Sequence, residues 1–275
     1  MVILHGSDLQ IGRPYRPGAA AAFVALAREL RPDLVVVAGD LTQRAKVAEF
    51  RRARELLDAL APVPVVTTPG NHDVPLYRFW ERLATPYANW RRFVGPALDV
   101  VTHVSGATVV ALNSSAPHRA IVGGRLARAQ LDFARRAFGA APREDVRIVV
   151  THHHFTRPLD GEGGRPLPGA ADLVRAFEDM GVELILGGHV HRTYLSTSRA
   201  LVEGPGEGIP LVACGTTTSR RGRGSEEGLN SLNVVRIGGA TIAVETRRFG
   251  DGGFVRESER VFARPRATAP AEEHA

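Results

Sequence analysis

Short, almost wholly apolar segments recur along this chain, and they limit what it can become. Residues 2–4, 34–38, 62–66, 146–150 and 182–186 are strand-sized runs dominated by Val, Ile, Leu and Ala. A strand that does not alternate polar and apolar residues has to be covered on both faces, as in parallel sheets flanked by other layers. Between the runs lie segments with helical spacing, at 19–30, 46–60, 127–138 and 170–180. The first of these ends before Pro32, because the residue preceding a proline is pushed out of the helical region. Strand and helix patterns in alternation predict an α/β fold with mixed sheets and helices outside them.

Other segments fill in this frame. Residues 77–93 hold both tryptophans and read as helical cover interrupted near Pro86, while 100–104 and 108–113 read as an antiparallel pair. Residues 156–169, rich in Gly and Pro, are expected to form an exposed loop over a site. After residue 192 the period shifts toward two, so 193–202, 210–214, 231–237 and 241–249 read as antiparallel strands, with a tight hairpin at Gly238-Gly239. Neither a repeat nor an interdomain linker interrupts the pattern. One domain over 1–263 and a flexible tail over 264–275 are expected.

The apolar runs are far shorter than the roughly 20 residues of a membrane span. The chain enters its first strand without a basic leader or long apolar core, so no secretory signal is expected. With a single cysteine, Cys214, no internal disulfide can form, which favours a reducing cytoplasm. The net charge of +6 is almost entirely guanidinium, Lys46 being the sole lysine. Such a bias can be a property of the coding composition, yet a basic surface favours anionic substrates and is compatible with peripheral membrane contact. No separate nucleic-acid module is visible, and nucleic acid is not an expected partner.

Chemistry concentrates where the apolar runs end. Asp8, Asp40, Asn71 with His72, the triplet His152-His153-His154, and His189 with His191 each follow a predicted strand. Ligands of layered α/β proteins bind outside the carboxyl ends of strands, so polar residues recurring there converge on one site. Gly187-Gly188 is expected to ease the turn ahead of the last pair. The donors are oxygen and nitrogen without thiolate, and they are too many for one catalytic zinc with three protein ligands. They suit two metal ions a few ångströms apart. Arg220 and Arg221, in the loop at 215–230, are candidates for phosphate recognition.

Taken together, Asp8-Leu9-Gln10, Gly39-Asp40-Leu41-Thr42-Gln43-Arg44, Gly70-Asn71-His72-Asp73, the His152 cluster and Gly188-His189-Val190-His191 resemble the five ordered motifs of the calcineurin-like metallophosphoesterases, over residues 1–249. Gly123-Gly124-Arg125-Leu126, Gln130-Leu131 and Gly215-Thr216 are similar to the bacterial branch that includes cyclic nucleotide phosphodiesterases. The resemblance implies a four-layer αββα sandwich of two mixed sheets and two divalent ions bridged by Asp40. One ion would be held by Asp8, Asp40 and His191, the other by Asp40, Asn71, His152 and His189. It further implies hydrolysis of small phosphodiesters by a metal-bridging hydroxide, with His72 as general acid. Asp73 would orient His72 or cap the chain that follows, Arg44 would pair with a carboxylate or meet substrate, and His153 and His154 would face substrate.

Gln10 departs from the pattern, which usually has histidine there. An amide oxygen is a neutral, hard donor that suits Mn2+ or Mg2+ better than zinc, so Mn2+ is expected first, with Fe, Zn or Mg as alternatives, and a weaker first site. Two other functions stay open. One is pyrophosphohydrolysis of a UDP-diacylglucosamine-type lipid-linked sugar nucleotide, and the other is a scaffold with little turnover. The oligomeric state is not determined by the sequence, and a homodimer is compatible with it.

Overall fold

The computed structural model describes residues 1–119, 122–158 and 164–265. In chain order the first half runs β1 (Val2–Gly6), α1 (Pro17–Leu30), β2 (Leu34–Val37), α2 (Val47–Asp58), β3 (Val65–Thr67), α3 (Phe79–Ala84), α4 (Ala88–Phe93), β4 (Val100–Val104), β5 (Ala107–Leu112) and α5 (Arg128–Ala140). The second half runs β6 (Val146–Thr151), α6 (Ala170–Asp179), β7 (Leu184–Gly187), β8 (Tyr194–Thr197), β9 (Pro210–Ala213), β10 (Ser231–Gly238), β11 (Thr241–Gly250) and β12 (Gly253–Ala263).

Two six-stranded sheets result, ordered β12-β11-β10-β1-β2-β3 and β4-β5-β6-β7-β9-β8. In the first, β1, β2 and β3 are parallel and the remaining pairs antiparallel. In the second, β5, β6, β7 and β9 are parallel between the antiparallel edges β4 and β8. The apolar runs are explained by their burial on both faces. In β2, Leu34 and Val36 meet Ile148, Val150 and Leu186 between the sheets, while Val35 and Val37 face Phe23 and Phe50 beneath the outer helices. On the far side Val110, Val149 and Ile185 pack on Phe138, Val174 and Phe177. Each buried side chain of this size contributes about 1.5 to 3 kcal/mol, so the apolar runs set the layering. The fold is the αββα sandwich of two mixed sheets flanked by helices.

Several elements differ from the sequence reading. The strand at 210–214 does not extend an antiparallel series: β9 lies parallel to β7 and meets only β8 antiparallel, whereas β10 and β11 belong to the other sheet. The segment 193–202 is a four-residue strand followed by a 3-10 turn. Strand β12 was hidden by its charges, because only its ends, Phe254 and Phe262, are buried. It forms a sheet edge, and its central sequence Val255-Arg256-Glu257-Ser258-Glu259-Arg260-Val261 is a palindrome. Two copies pairing antiparallel about Ser258 would set Arg256 against Arg260 and Glu257 against Glu259, like charges that disfavour such pairing. Of the expected tail, Arg264 is fixed to buried Glu183 at 2.8 Å, and the part beyond Pro265 lies outside the described residues. So do residues 159–163 of the expected loop, whose Leu167 is buried in the core. Among the described residues no helix is long and apolar enough to cross a membrane.

The carboxyl ends of β1, β2, β3, β6 and β7 come together at one rim of the sandwich. The chain stitches them there: Asp8 N donates to Gly39 O at 3.0 Å, Gln10 N to Asp40 O at 2.9 Å, and Gly188 N to His152 O at 3.0 Å.

Candidate metal centre

The loops at this rim turn sharply enough to leave ordinary backbone space. Asp8, Gln10, Asp40, His189 and His191 have φ of 51°, 46°, 52°, 74° and 58°, the left-handed region that L residues avoid. Each such residue costs on the order of 1 to 3 kcal/mol and persists only where its surroundings hold it. The hold here is visible in bonds such as His189 N to Asp8 Oδ2 at 3.0 Å and His72 N to Asp40 Oδ1 at 2.8 Å. The turn before His189 is thus made by the histidines, and Gly187-Gly188 serves another end. A Cβ on Gly188 would collide with Ser7, and one on Gly70 with Asp40. These glycines let neighbouring strand ends approach.

Two clusters of donor atoms result. Asp8, Asp40 and His191, all buried, bring one ligand atom each within 4.8 Å of the others. Beside them, Asn71 Oδ1 lies 3.0 Å from His189 Nδ1 and 3.3 Å from His152 Nε2, the two ring nitrogens are 3.2 Å apart, and His152 Nε2 is 3.5 Å from Asp40 Oδ1. Metal–donor distances of about 2.1 Å place adjacent donors roughly 3.0 to 3.4 Å apart, so these separations suit the edges of a coordination polyhedron. Asp40 stands in both clusters.

Second partners decide which ring atom is offered. His152 Nδ1–H donates to Ala38 O at 2.7 Å and His191 Nδ1–H to Arg221 O at 2.8 Å, so Nε2 of each faces the cluster and offers a lone pair whenever the ring is neutral. His191 Nε2 then faces Asp8 Oδ1 at 3.1 Å, acceptor against acceptor. Asp8 Oδ1 and Gln10 Oε1 are buried without a hydrogen-bond partner. Such an arrangement is costly without a cation and satisfied by one, so the donor set fits divalent metal. Electrostatics agree. Burial opposes charge on both partners, yet the pull of His152 and His72 holds the Asp40 carboxyl well below its usual range. Despite its own burial, His152 is pushed up to about 9 by Asp40. His189, buried among His153, His152 and His154, is held well below the ordinary range and stays a neutral donor.

Gln10 takes its place in the first cluster with Nε2 at 3.0 Å from His191 Nε2 and 3.4 Å from Asp40 Oδ2. Exchanging the near-identical ends of the amide directs its orphaned Oε1 at the same point.

A cavity of about 280 Å3 opens on the clusters, lined among others by Asn71, His189, His191, His72, Arg44, Arg221 and Arg223. The His72 ring is oriented by Gln43, whose carbonyl accepts from Nδ1 at 2.9 Å, and Nε2 looks into the cavity 3.3 Å from Arg221. Asp73 does not serve that ring. Its buried carboxylate accepts from the amides of Leu41, Thr42 and Gly70 and from Thr42 Oγ1, tying two ligand loops together. Burial and the neighbouring Asp40 push it up to about 7. The Arg44 guanidinium lies over the Tyr77 ring at 5.0 Å, and the residue meets a carboxylate only through its backbone, whose N donates to Glu49 Oε2 at 2.7 Å among the described contacts.

Of His153, His154, Arg220 and Arg221, the structure brings only Arg221 to the cavity lining. His153 spends Nδ1 on Ser114 Oγ at 2.8 Å and Nε2 on Val122 O at 3.0 Å, and burial holds it at about 3. His154 is buried with its ring stacked on His189 at 5.6 Å, where it backs a donor. Arg220 is exposed away from the cavity lining. Arg223, Gln43 and Tyr77 reach it instead. The cluster of arginines at 220–223 was a usable signal for Arg223, whereas nothing in the sequence separated Tyr77 from its aromatic neighbours.

The profile of the calcineurin-like phosphoesterases matches residues 1–193. The chain belongs to that family. A probable cyclic nucleotide phosphodiesterase of Synechococcus sp. is 29% identical over 183 residues, covering 65% of either chain. A cAMP/cGMP dual specificity phosphodiesterase of Mycobacterium tuberculosis is 29% identical over 241 residues, covering 82% of this chain and 69% of its own. The chain thus spans about two thirds of the length of these relatives. In fold it is similar to a purple acid phosphatase from yellow lupin, with a TM-score of 0.71 at 15% identity, over 96% of this chain and 54% of that one.

Proposed function

We propose that this protein hydrolyses small phosphodiesters, cyclic nucleotides foremost, using two divalent ions of which Mn2+ is preferred. The observation that carries the reading is the meeting of two donor clusters at Asp40 on the wall of a cavity that also presents His72 and Arg221. Asp8, Gln10, Asp40 and His191 would hold one ion, and Asp40, Asn71, His152 and His189 the other. When bound, two such ions supply Lewis acidity toward the phosphoryl oxygens and acidify a coordinated water. Arg221, half-buried beside His72, binds a phosphoryl oxygen and balances charge as it builds there. Its carbonyl fixes the His191 tautomer, so one residue links substrate to metal ligand. His72 would deliver a proton to the leaving oxygen from Nε2 once substrate has drawn the Arg221 guanidinium off that atom, with Gln43 O keeping the ring in place. A cytoplasmic location belongs to the reading and rests on the lone, buried Cys214.

One observation favours a second substrate. Phe79, Trp80 and Leu83 on α3 are exposed next to Tyr77 of the cavity rim, a surface suited to the lipid part of a lipid-linked pyrophosphate or to peripheral membrane contact. A panel of cyclic diesters, monoesters and a lipid-linked sugar-nucleotide pyrophosphate, assayed with Mn2+, separates the two. Preference for cyclic diesters is expected, and preference for the pyrophosphate would overturn it. In the same assay His72→Ala should lower kcat about 100-fold for diesters with poor leaving groups while metal content holds.

A further inference from the structure

The proposed chemistry draws on the polar lining of the cavity and leaves its apolar lining, Val74, Leu76, Tyr77 and Val122, without a task. Tyr77 is the unusual member. The residue is 76% exposed although it borders the site, so it offers an aromatic face to water at the cavity mouth. The ring is nonetheless held. Arg44 lies over it at 5.0 Å, and Arg78 anchors the next residue to the carbonyls of Arg44 and Ala45 at 3.1 and 2.9 Å. Among the described residues Arg44 is its one ring contact. A pre-positioned tyrosine backed by a guanidinium offers its free face to a flat, stacking partner.

Resting on the phosphodiesterase reading above, we propose that Tyr77, backed by Arg44, stacks against the nucleobase of a nucleotide diester whose phosphate lies at the Asp40 clusters. Leu76 and Val122 form the apolar sides of this subsite. The cavity of about 280 Å3 suits one small ligand rather than a polymer, lying at the lower end of the few hundred Å3 usual for ligand sites. A base attached to a cyclic phosphate is rigidly placed and flat, so it covers the ring with little loss of freedom. Val74, Leu76 and Val122 carry no side-chain donor or acceptor to read the edge of a base. Recognition is therefore by π-face and shape, which every base offers, and adenine and guanine are accepted to similar degrees.

The test compares 3′,5′-cyclic AMP and GMP with the abasic 1-O-methylribose 3′,5′-cyclic phosphate, which keeps the ester and lacks the base. Stacking on an aromatic side chain is worth about 5-fold to 150-fold per base. For Tyr77→Ala the ratio of kcat/KM on cyclic AMP to that on the abasic ester should fall by that factor. The loss should lie in KM, and Tyr77→Phe should restore the ratio to within about 2-fold. Leu83→Ala, on the exposed side of α3, should leave it unchanged, which separates the subsite from the wider apolar patch. Calorimetric titration with AMP gives a reading independent of turnover, and Tyr77→Ala should weaken it by a similar factor. Equal losses on both esters, or no change in ratio and in AMP affinity, would overturn the subsite. Wild-type protein inert toward cyclic AMP yet binding AMP through Tyr77 would instead overturn the choice of cyclic diester and leave the platform standing.

Discussion

The two donor clusters share a carboxylate and otherwise differ in charge, in donor type and in how completely they are furnished. The first takes Asp8 and Gln10 from the loop after β1, Asp40 from that after β2 and His191 from that after β7, so two carboxylates face one imidazole. The second adds to Asp40 two imidazoles, His152 and His189, and the Asn71 amide, donors already 3.0 to 3.5 Å from one another. Gln10 marks the contrast. Its Nε2 occupies the lone pair of His191 while its own oxygen and Asp8 Oδ1 remain unpartnered. Two carboxylates and an amide oxygen attract a hard cation, whereas imidazoles also suit softer ones. A common fold edge has thus produced one donor set that is already closely spaced and one in which the Gln10 amide must turn before its oxygen joins the others.

The largest expected effect comes from removing what the clusters share. Asp40→Ala should leave less than one metal ion per chain by elemental analysis and lower kcat at least about 1,000-fold on a cyclic diester. Asn71→Ala should remove only the second ion, with a loss of about 100-fold. If Asp40→Ala kept both ions, the clusters would be independent and the comparison would fail.

Much of this contrast was legible in the sequence because donors at strand ends are tied to the apolar runs, and the runs dictate the layers. Once the strands after which Asp8, Asp40, Asn71, His152 and His189 sit are packed in parallel, their convergence follows. What the sequence hid depends on side-chain direction within loops. His152, His153 and His154 are equivalent on paper, and only the partners Ala38, Ser114 and Val122 decide that the first is a donor and the second a brace. Arg220, Arg221 and Arg223 are likewise sorted by the turn of one loop around the carbonyl that His191 needs. Strand β12 escaped because an edge strand shows charge to water on its free face.

The next effect bears on the incomplete cluster alone. Gln10→His would replace a neutral amide with an imidazole at a buried position beside His191 and Asp40. Affinity of the weaker ion should rise about 10-fold, and zinc should then support occupancy of both sites. The measurement is metal titration of apo protein by calorimetry. Equal, tight binding of two zinc ions by the unaltered protein would remove the distinction between the clusters.

The smallest effect is on pH dependence, and it belongs to the second cluster. In the metal-free protein Asp40, working against burial, pushes His152 up to about 9 from an ordinary 6.5. The folded form therefore binds this proton more tightly than the unfolded one. Its stabilising contribution is complete below about pH 6.5 and is lost as pH rises through 9. Thermal unfolding of the metal-free protein should accordingly shift to lower temperature between pH 6.5 and 9, and His152→Ala should flatten that limb. A cation competes with the proton for His152 Nε2, so the second ion should bind more tightly as pH rises over the same interval. Adding Mn2+ should then restore stability most at the alkaline end. If the metal-free protein were as stable at pH 9 as at 6.5, the proton would not be standing in for a cation at His152, and the second cluster would owe its close donor spacing to packing alone.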